Sequence, residues 1–326
     1  MNIAELSGLG VDESLRKQLG TWGIRTLTDV QVKALDAGIA DGRSMIVSSP
    51  TSSGKTLVGE IALFVALRSG VRAIYLVSHK ALADQKYLDF VSRFGESSSN
   101  PIASVGLSTG DRTEGDLEAQ LTVATYEKAL GLVLTRQLKP ENAVLVADEL
   151  QILGEASRGP EIETLCAVFR QRGLKQFVAL TATVENADDL AGWMKCQLVH
   201  SSRRDVPLHQ EIWFQNRGYR TTFGQEDGHE IEPGSVSSND IPSVIRKLLH
   251  LGRGPVLVFT ESRREAMQYA ASFGQNRPRV SEGIGLAEQL DLFSEPTESS
   301  EILRESAEKR VAFHTADLTP QERQVI

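Results

Sequence analysis

The stretch SSPTSSGKT, Ser48 to Thr56, overlaps the end of a β-branched run, MIVSS (45–49), and opens an apolar helical pattern, TLVGEIALFVAL. A Gly-Lys-Thr between a strand and a helix constrains the chain more tightly than any other feature. The loop must bring backbone N–H groups and a helix N-terminus to one point, which requires a parallel sheet behind it. The N–H groups of Thr51, Ser52, Ser53 and Gly54 are expected to face phosphate oxygens. Lys55 would set an ammonium on the β- and γ-phosphates and the Thr56 hydroxyl would ligate Mg2+, so ATP and Mg2+ are the expected ligands. Ser49 stands where the general pattern has glycine.

The order of elements agrees with such a sheet. AIYLVS (73–78), LTVAT (121–125), AVLVAD (143–148) and FVALTA (177–182) read as buried strands, and ALADQKYLDFVSRF and EIETLCAVFRQR carry apolar residues at helical spacing. Strands alternating with helices predict an α/β fold, a RecA-like parallel-sheet domain of the P-loop NTPase type. Asp148 ends AVLVAD and Glu149 follows it, at the sheet edge where open parallel sheets carry their chemistry. Asp148 is expected to hold Mg2+ through water, and Glu149 to orient or deprotonate the attacking water. After Arg203 a second, partial RecA-like domain is expected, with strands PVLVFT (255–260) and VAFHT (311–315) and a helix from Ser262. The expected division is a lead-in over 1–30, a first domain over 31–203 and a partial second domain over 204–326. Polar, Gly-rich stretches at about 222–240 and 274–300 read as mobile loops. The second domain has too few strands to finish a sheet, and TPQERQVI ends inside a helical pattern, so a truncated chain is the expectation.

Composition excludes little. The net charge of −8 argues only mildly against a nucleic-acid binder, because phosphate contacts act locally under salt screening. The two cysteines, Cys166 and Cys196, lack metal-ligand spacing and read as buried, reduced thiols in helix-like segments of a cytoplasmic protein. The N-terminus has no secretory pattern, and the densest apolar stretch, Ile61 to Leu67, falls far short of the roughly 18 residues that suggest a membrane span.

A longer series of motifs resembles the superfamily 2 DExH/D-box helicases, in the Ski-like branch that includes the archaeal Hel-type repair helicases. WGIRTLTDVQ (22–31) resembles the adenine-reading Q motif and PTSSGKTLVGEIA (50–62) motif I. HKALADQKYLDF (79–90) resembles motif Ia, and LSTGD (107–111) and VATYEKA (123–129) the next two nucleic-acid motifs. DELQ (148–151) resembles motif II, with Arg158-Gly159 shortly after it, and LTATVEN (180–186) resembles motif III. RRDVPL (203–208) resembles the segment that crosses into the second domain, VLVFTESRREA (256–266) motif IV, and VAFHTADLTPQER (311–323) the segment after it.

The resemblance implies an ATP-dependent helicase or translocase acting on single-stranded or branched nucleic acid. Gln31 would read adenine. Gln151, at the position of the family's histidine, would couple to Thr181 and Thr183. Lys80, Ser108, Thr109, Gly110 and Thr125, with Thr260 and Arg263 in the second domain, would line the strand. Nothing in the chain resembles motifs V and VI, so activity of the chain alone is expected to be weak, and a separate chain is one expected source of the missing half. A non-enzymatic binding module on the same fold stays open as the alternative. Another P-loop enzyme, such as a kinase or transporter ATPase, is disfavoured by motifs Ia, Ib and III.

Overall fold

The computed structural model describes all residues except 1, 4–10, 99, 111, 117, 183, 185, 205, 215–216, 224–227, 232–240, 276 and 293–296. The chain divides into two compact units, Met1–His209 with Thr222–Glu226, and Gln210–Thr221 with Asp227–Ile326.

The first unit is built on one sheet. Its strands are β1 (Met45–Ser48), β2 (Ala73–Val77), β3 (Val105–Ser108), β4 (Thr113–Glu114), β5 (Leu121–Thr125), β6 (Val144–Ala147), β7 (Gln176–Thr181) and β8 (Gln197–His200). They lie in the order β4-β3-β5-β2-β6-β7-β1-β8. All pairs are parallel except β3 with the short β4, where Leu107 faces Glu114. The helices are α1 (Glu13–Thr21), α2 (Asp29–Asp36), α3 (Lys55–Arg68), α4 (Lys80–Arg93), α5 (Tyr126–Leu134), α6 (Gly159–Arg172) and α7 (Ala187–Met194).

The strand sequences explain the layering. Successive side chains point to opposite faces, so Met45, Val47, Ala73, Tyr75 and Val77 pack with α1 to α4, and Ile46, Ile74 and Leu76 pack with α5 to α7. Both faces are covered, and the strands are accordingly apolar throughout instead of alternating. The lead-in belongs to this core. Leu15 and Leu19 are buried in it, and Trp22 meets Phe64 and Phe94 edge-on at 5.9 and 5.6 Å while the Arg93 guanidinium lies 5.3 Å from the Trp22 ring. Trp22 is therefore a packing residue. Cys166 is buried within α6, whereas Cys196 lies in the turn before β8 and not in a helix; burial pushes their thiols up to about 12 and about 11.

The second unit departs from expectation in two places. Residues 255–260 and 311–315 form no strand. A strand exists only as part of a pair, and neither segment has a partner strand among the described residues. They line an open apolar groove of about 930 Å3, with Leu257 79% and Phe259 88% exposed. Conversely, much of the expected loop at 274–300 is helical: α10 (Ser281–Asp291) and α11 (Glu298–Ala307) pack together and α11 packs on α9 (Arg263–Gln275), around Ala270, Leu290, Leu303 and Phe313. Gly283 is there for contact and not for flexibility, since a Cβ would lie 2.4 Å from the Ala307 carbonyl oxygen. The unit also holds α8 (Ile241–His250), α12 (Pro320–Val325) and most of an antiparallel sheet of β9 (His209–Phe214), β10 (Arg217–Thr222) and β11 (His229–Ile231). Of the expected loop at 222–240, residues 224–227 and 232–240 lie outside the described residues. No helix among the described residues is long and apolar enough to cross a membrane.

Helix α3 lies against the sheet so closely that a Cβ on Gly59 would come within 2.9 Å of Val146 Cγ1 and 3.2 Å of Leu180 Cδ1. Gly59→Val should therefore overpack this contact and remove about 1–3 kcal/mol of stability. Urea unfolding is expected to show a lower midpoint at unchanged slope.

Candidate active site

The turn between β1 and α3 is the candidate phosphate loop, and α2 braces it. Gly54 caps α3 in the left-handed region at φ 88°, and Ser52 is left-handed at φ 62°. Thr28 and Gln31 form a capping box at the start of α2, in which the Gln31 side-chain oxygen accepts from the Thr28 N–H at 2.9 Å. The other end of the same amide donates to the Gly54 carbonyl at 2.9 Å, and Thr28 Oγ1 donates to the Ser53 carbonyl at 2.8 Å. Both ends of Gln31 are therefore engaged on the protein, and contact with adenine would require exchanging one of them. Ser49, the departure from glycine, is buried and its hydroxyl meets that of Ser53 at 2.6 Å, a strut across the loop. Ser53 is buried, and Thr51 and Ser52 are exposed.

Lys55 begins α3 and folds back on its own loop, donating to the carbonyls of Ser49 at 2.6 Å and Pro50 at 2.8 Å. Burial lowers its pKa, against the opposing pull of the Asp148 and Glu149 carboxylates. Thr56, half-buried, is the next residue in the first turn of α3.

Asp148 leaves the end of β6 almost buried, 9% exposed. Its Oδ2 accepts from the Tyr75 hydroxyl at 2.6 Å, its Oδ1 from the Glu149 N–H at 3.0 Å, and its carbonyl from the Tyr126 hydroxyl at 2.7 Å. Burial raises its pKa, and the Tyr75 bond and the Lys86 charge oppose that rise. Glu149 takes a left-handed backbone, φ 54°, which turns its side chain outward at the sheet edge, where Oε2 accepts from Ser78 Oγ at 2.6 Å. Ser78 has one hydroxyl hydrogen, so its 2.7 Å contact with His79 Nδ1 requires the imidazole to donate.

Gln151 accepts from Thr181 Oγ1 at 3.2 Å and from the Ala182 N–H at 3.1 Å, which joins the segment after β6 to the end of β7. Thr183 lies outside the described residues. Arg158 ties three segments together. It donates to Glu127 at 2.7 Å and to the Ser78 carbonyl, and so bridges the ends of β2 and β5 to the segment after Glu149.

The expected strand-lining residues separate into two groups. Lys80, exposed at the first turn of α4, lies beside Gly110, whose added Cβ would stand 3.4 Å from the Lys80 ammonium. Ser108 and Thr109 are buried, and Thr109 closes a turn on Arg112. Thr125, also buried, is the N-cap of α5. In the second unit, Thr260 turns onto the Ser262 carbonyl and Arg263 pairs with Asp317 at 2.6 Å. Tyr75 and Tyr126 bond Asp148 and Ser78 bonds Glu149, and motif reading gave none of the three a role. Ser78 adjoins motif Ia and Tyr126 lies within VATYEKA, whereas Tyr75 carried no such signal.

Asp148 and Thr56 are hard oxygen donors, and each Asp148 oxygen accepts one hydrogen bond, which leaves a lone pair open. No cluster of three acidic, His or Cys side chains capable of holding a metal exists among the described residues. A metal here would arrive with its phosphates, and this donor set suits Mg2+, which takes one or two protein ligands and keeps its waters.

Residues 28–190 match the DEAD/DEAH box helicase family. The whole chain is 32% identical over 340 residues to the ATP-dependent DNA helicase Hel308 of Methanocella arvoryzae, covering 44% of that protein. It is 34% identical over 319 residues to Hel308 of Pyrobaculum calidifontis, with 96% of this chain and 42% of the relative covered. The chain thus spans less than half the length of these relatives. Among solved structures, a variant of S. cerevisiae Dbp5 bound to RNA and ADP BeF3 shares the fold, with a TM-score of 0.50 at 20% identity over 60% of this chain and 51% of that one.

Because one end of Gln31 caps α2 and the other holds the loop, Gln31→Ala should lower ligand-free stability by about 1–2 kcal/mol, the usual worth of a lost cap and buried hydrogen bond. A thermal melt without nucleotide checks this; a residue that only reads adenine would leave that melt unmoved.

Proposed function

The chain belongs to the DEAD/DEAH box helicase family, and from that premise we propose that it is the ATP-binding portion of a DNA helicase or translocase, working in the cytoplasm on single-stranded or branched DNA. One observation carries the nucleotide reading: the loop leading to Lys55 leaves the carboxyl end of β1, and Asp148 and Glu149 leave the carboxyl end of β6, two strands away in the same parallel sheet. A cation from the phosphate loop and two carboxylates thus converge on one edge of the sheet.

In this reading Lys55 leaves the Ser49 and Pro50 carbonyls for the β- and γ-phosphates of ATP. The α3 N-terminus and the loop N–H groups receive the remaining phosphate charge. Thr56 and Asp148 would hold Mg2+, which when bound neutralises charge on the phosphates. Glu149 exchanges the Ser78 hydroxyl for the attacking water and orients it. Gln151, through Thr181 and Ala182, carries the state of the β6 edge to the β7 edge. Lys80 beside Gly110 is the part of the strand track best supported by exposure, and DNA as the strand follows from the names of the relatives. Turnover by these residues alone is proposed to be slow, because no segment of the chain resembles the family's arginine-bearing motif VI, and such arginines are worth about 10³–10⁵ in rate in related enzymes.

Lys55→Ala removes the side-chain cation at the phosphates and should abolish binding of a non-hydrolysable ATP analogue in calorimetric titration. Retained affinity would sink the assignment. Binding of single-stranded DNA should weaken as salt rises, with a log–log slope of about −0.7 per phosphate contacted. With Lys80 as the main exposed cation of the first unit's track, that slope is expected to be shallow, and filter binding across a salt series reads it.

A further inference from the structure

Nothing in the motif pattern gives β2 a part in the metal site, yet the middle residue of that strand reaches it. We propose that Tyr75 is a positioning residue for Asp148, its hydroxyl fixing the carboxylate in the orientation that accepts Mg2+ with the nucleotide. The proposal rests on the reading of Asp148 as the magnesium carboxylate.

Tyr75 is fully buried on the face of the sheet that packs against α1 to α4, among apolar side chains. A phenylalanine would fill that space without a polar atom to satisfy, and a buried phenol needs a partner. Its partner is Asp148 Oδ2, at 2.6 Å. Neither group has slack. The Tyr75 ring is held edge-on by Phe90 at 4.9 Å and 77°, and the Lys86 ammonium lies 6.0 Å from its centroid, so α4 fixes the ring from one side. The Asp148 backbone is held from the other side by the Tyr126 hydroxyl on its carbonyl at 2.7 Å, and by its own N–H on the Leu76 carbonyl at 2.9 Å. With the main chain pinned, the remaining freedom of Asp148 is rotation of its side chain. Tyr75 on Oδ2 and the Glu149 N–H on Oδ1 together define that rotation. Hydrogen-bonded partners of this kind behind a metal-ligating group typically change metal affinity by about 10–100-fold when removed.

The test uses the chain as it stands and needs no turnover. The affinity of a fluorescent, non-hydrolysable ATP analogue is measured in EDTA and then along a Mg2+ titration. Tyr75→Phe should match the unmodified chain in EDTA but need about 10-fold more Mg2+ to reach half of its metal-dependent gain in affinity. Phe90→Leu, which loosens the ring without touching the hydroxyl, should shift the Mg2+ midpoint in the same direction by less, and it keeps the test decisive if Tyr75→Phe does not fold. Asp148→Asn should abolish the metal-dependent gain. An unchanged Mg2+ midpoint in Tyr75→Phe alongside a lost gain in Asp148→Asn would overturn the role given to Tyr75 and leave Asp148 intact. A normal metal-dependent gain in Asp148→Asn would instead overturn the magnesium assignment, and the role of Tyr75 with it.

Discussion

A carboxylate that is nearly removed from water at the end of a buried strand is the constraint on which the rest of this structure depends. Asp148 cannot sit there uncompensated, since an unpaired buried charge is far costlier than a paired one. Its partners are supplied by three different segments: Tyr75 from β2, the Glu149 N–H from the following turn, and Tyr126 from α5 at its carbonyl. Each partner imposes a condition of its own. A buried Tyr75 needs an aromatic neighbour to hold it, which Phe90 provides. Tyr126 can reach the carbonyl only because α5 begins directly after β5. Glu149 can turn out to the edge only by accepting a left-handed backbone, which costs a non-glycine residue about 1–3 kcal/mol and recurs where function over-determines geometry.

The facing charge is handled in the same way. Lys55 is half-buried, with burial depressing its pKa, and its ammonium rests on the Ser49 and Pro50 carbonyls beside the field of the two carboxylates. The cation is therefore stabilised by neutral acceptors, which on the proposed function binding would exchange for charged phosphate oxygens. On that proposal a chain of net charge −8 can still offer an anion site. The relevant charges are those within a few ångströms of Lys55 and the α3 N-terminus, and the surface carboxylates beyond a Debye length of about 8–10 Å are screened from them.

What could be read from the residues follows from how local each determinant is. The strands of the first unit are continuous apolar runs, the helices carry their spacing, and Gly-Lys-Thr fixes a strand–loop–helix by itself; all of these were legible. The edge strands β4 and β8, and β3 beside β4, were not, because their mixed sequences become strands only through their neighbours. In the second unit the same logic ran the other way. PVLVFT and VAFHT have the composition of strands but no pairing partner among the described residues, whereas the stretch around Gly283 has the composition of a loop but an apolar register, Leu286, Ala287 and Leu290, that α9 and α11 make worth burying. The site residues that motif reading missed are those whose role depends on a partner far away in the chain. A tyrosine in a strand looks like core until the carboxylate it touches is known.

The same dependence links the two edges of the site. Ser78 holds Glu149, and Arg158 holds the carbonyl of Ser78 together with Glu127 at the start of α5. Gln151 holds the end of β7 from the segment that carries Asp148 and Glu149. Each of these bonds joins a position at the carboxyl end of one strand to another, and none runs along the chain. Lys80 lies at the exposed start of α4, two residues from Ser78, whose hydroxyl donates to Glu149 and whose carbonyl accepts from Arg158. The parallel sheet makes this compact arrangement possible, because it brings the ends of β1, β2, β5, β6 and β7 to a single edge. On the proposed function, coupling between a strand track and Glu149 would require no long pathway, only that neighbouring strand ends share hydrogen-bonding groups.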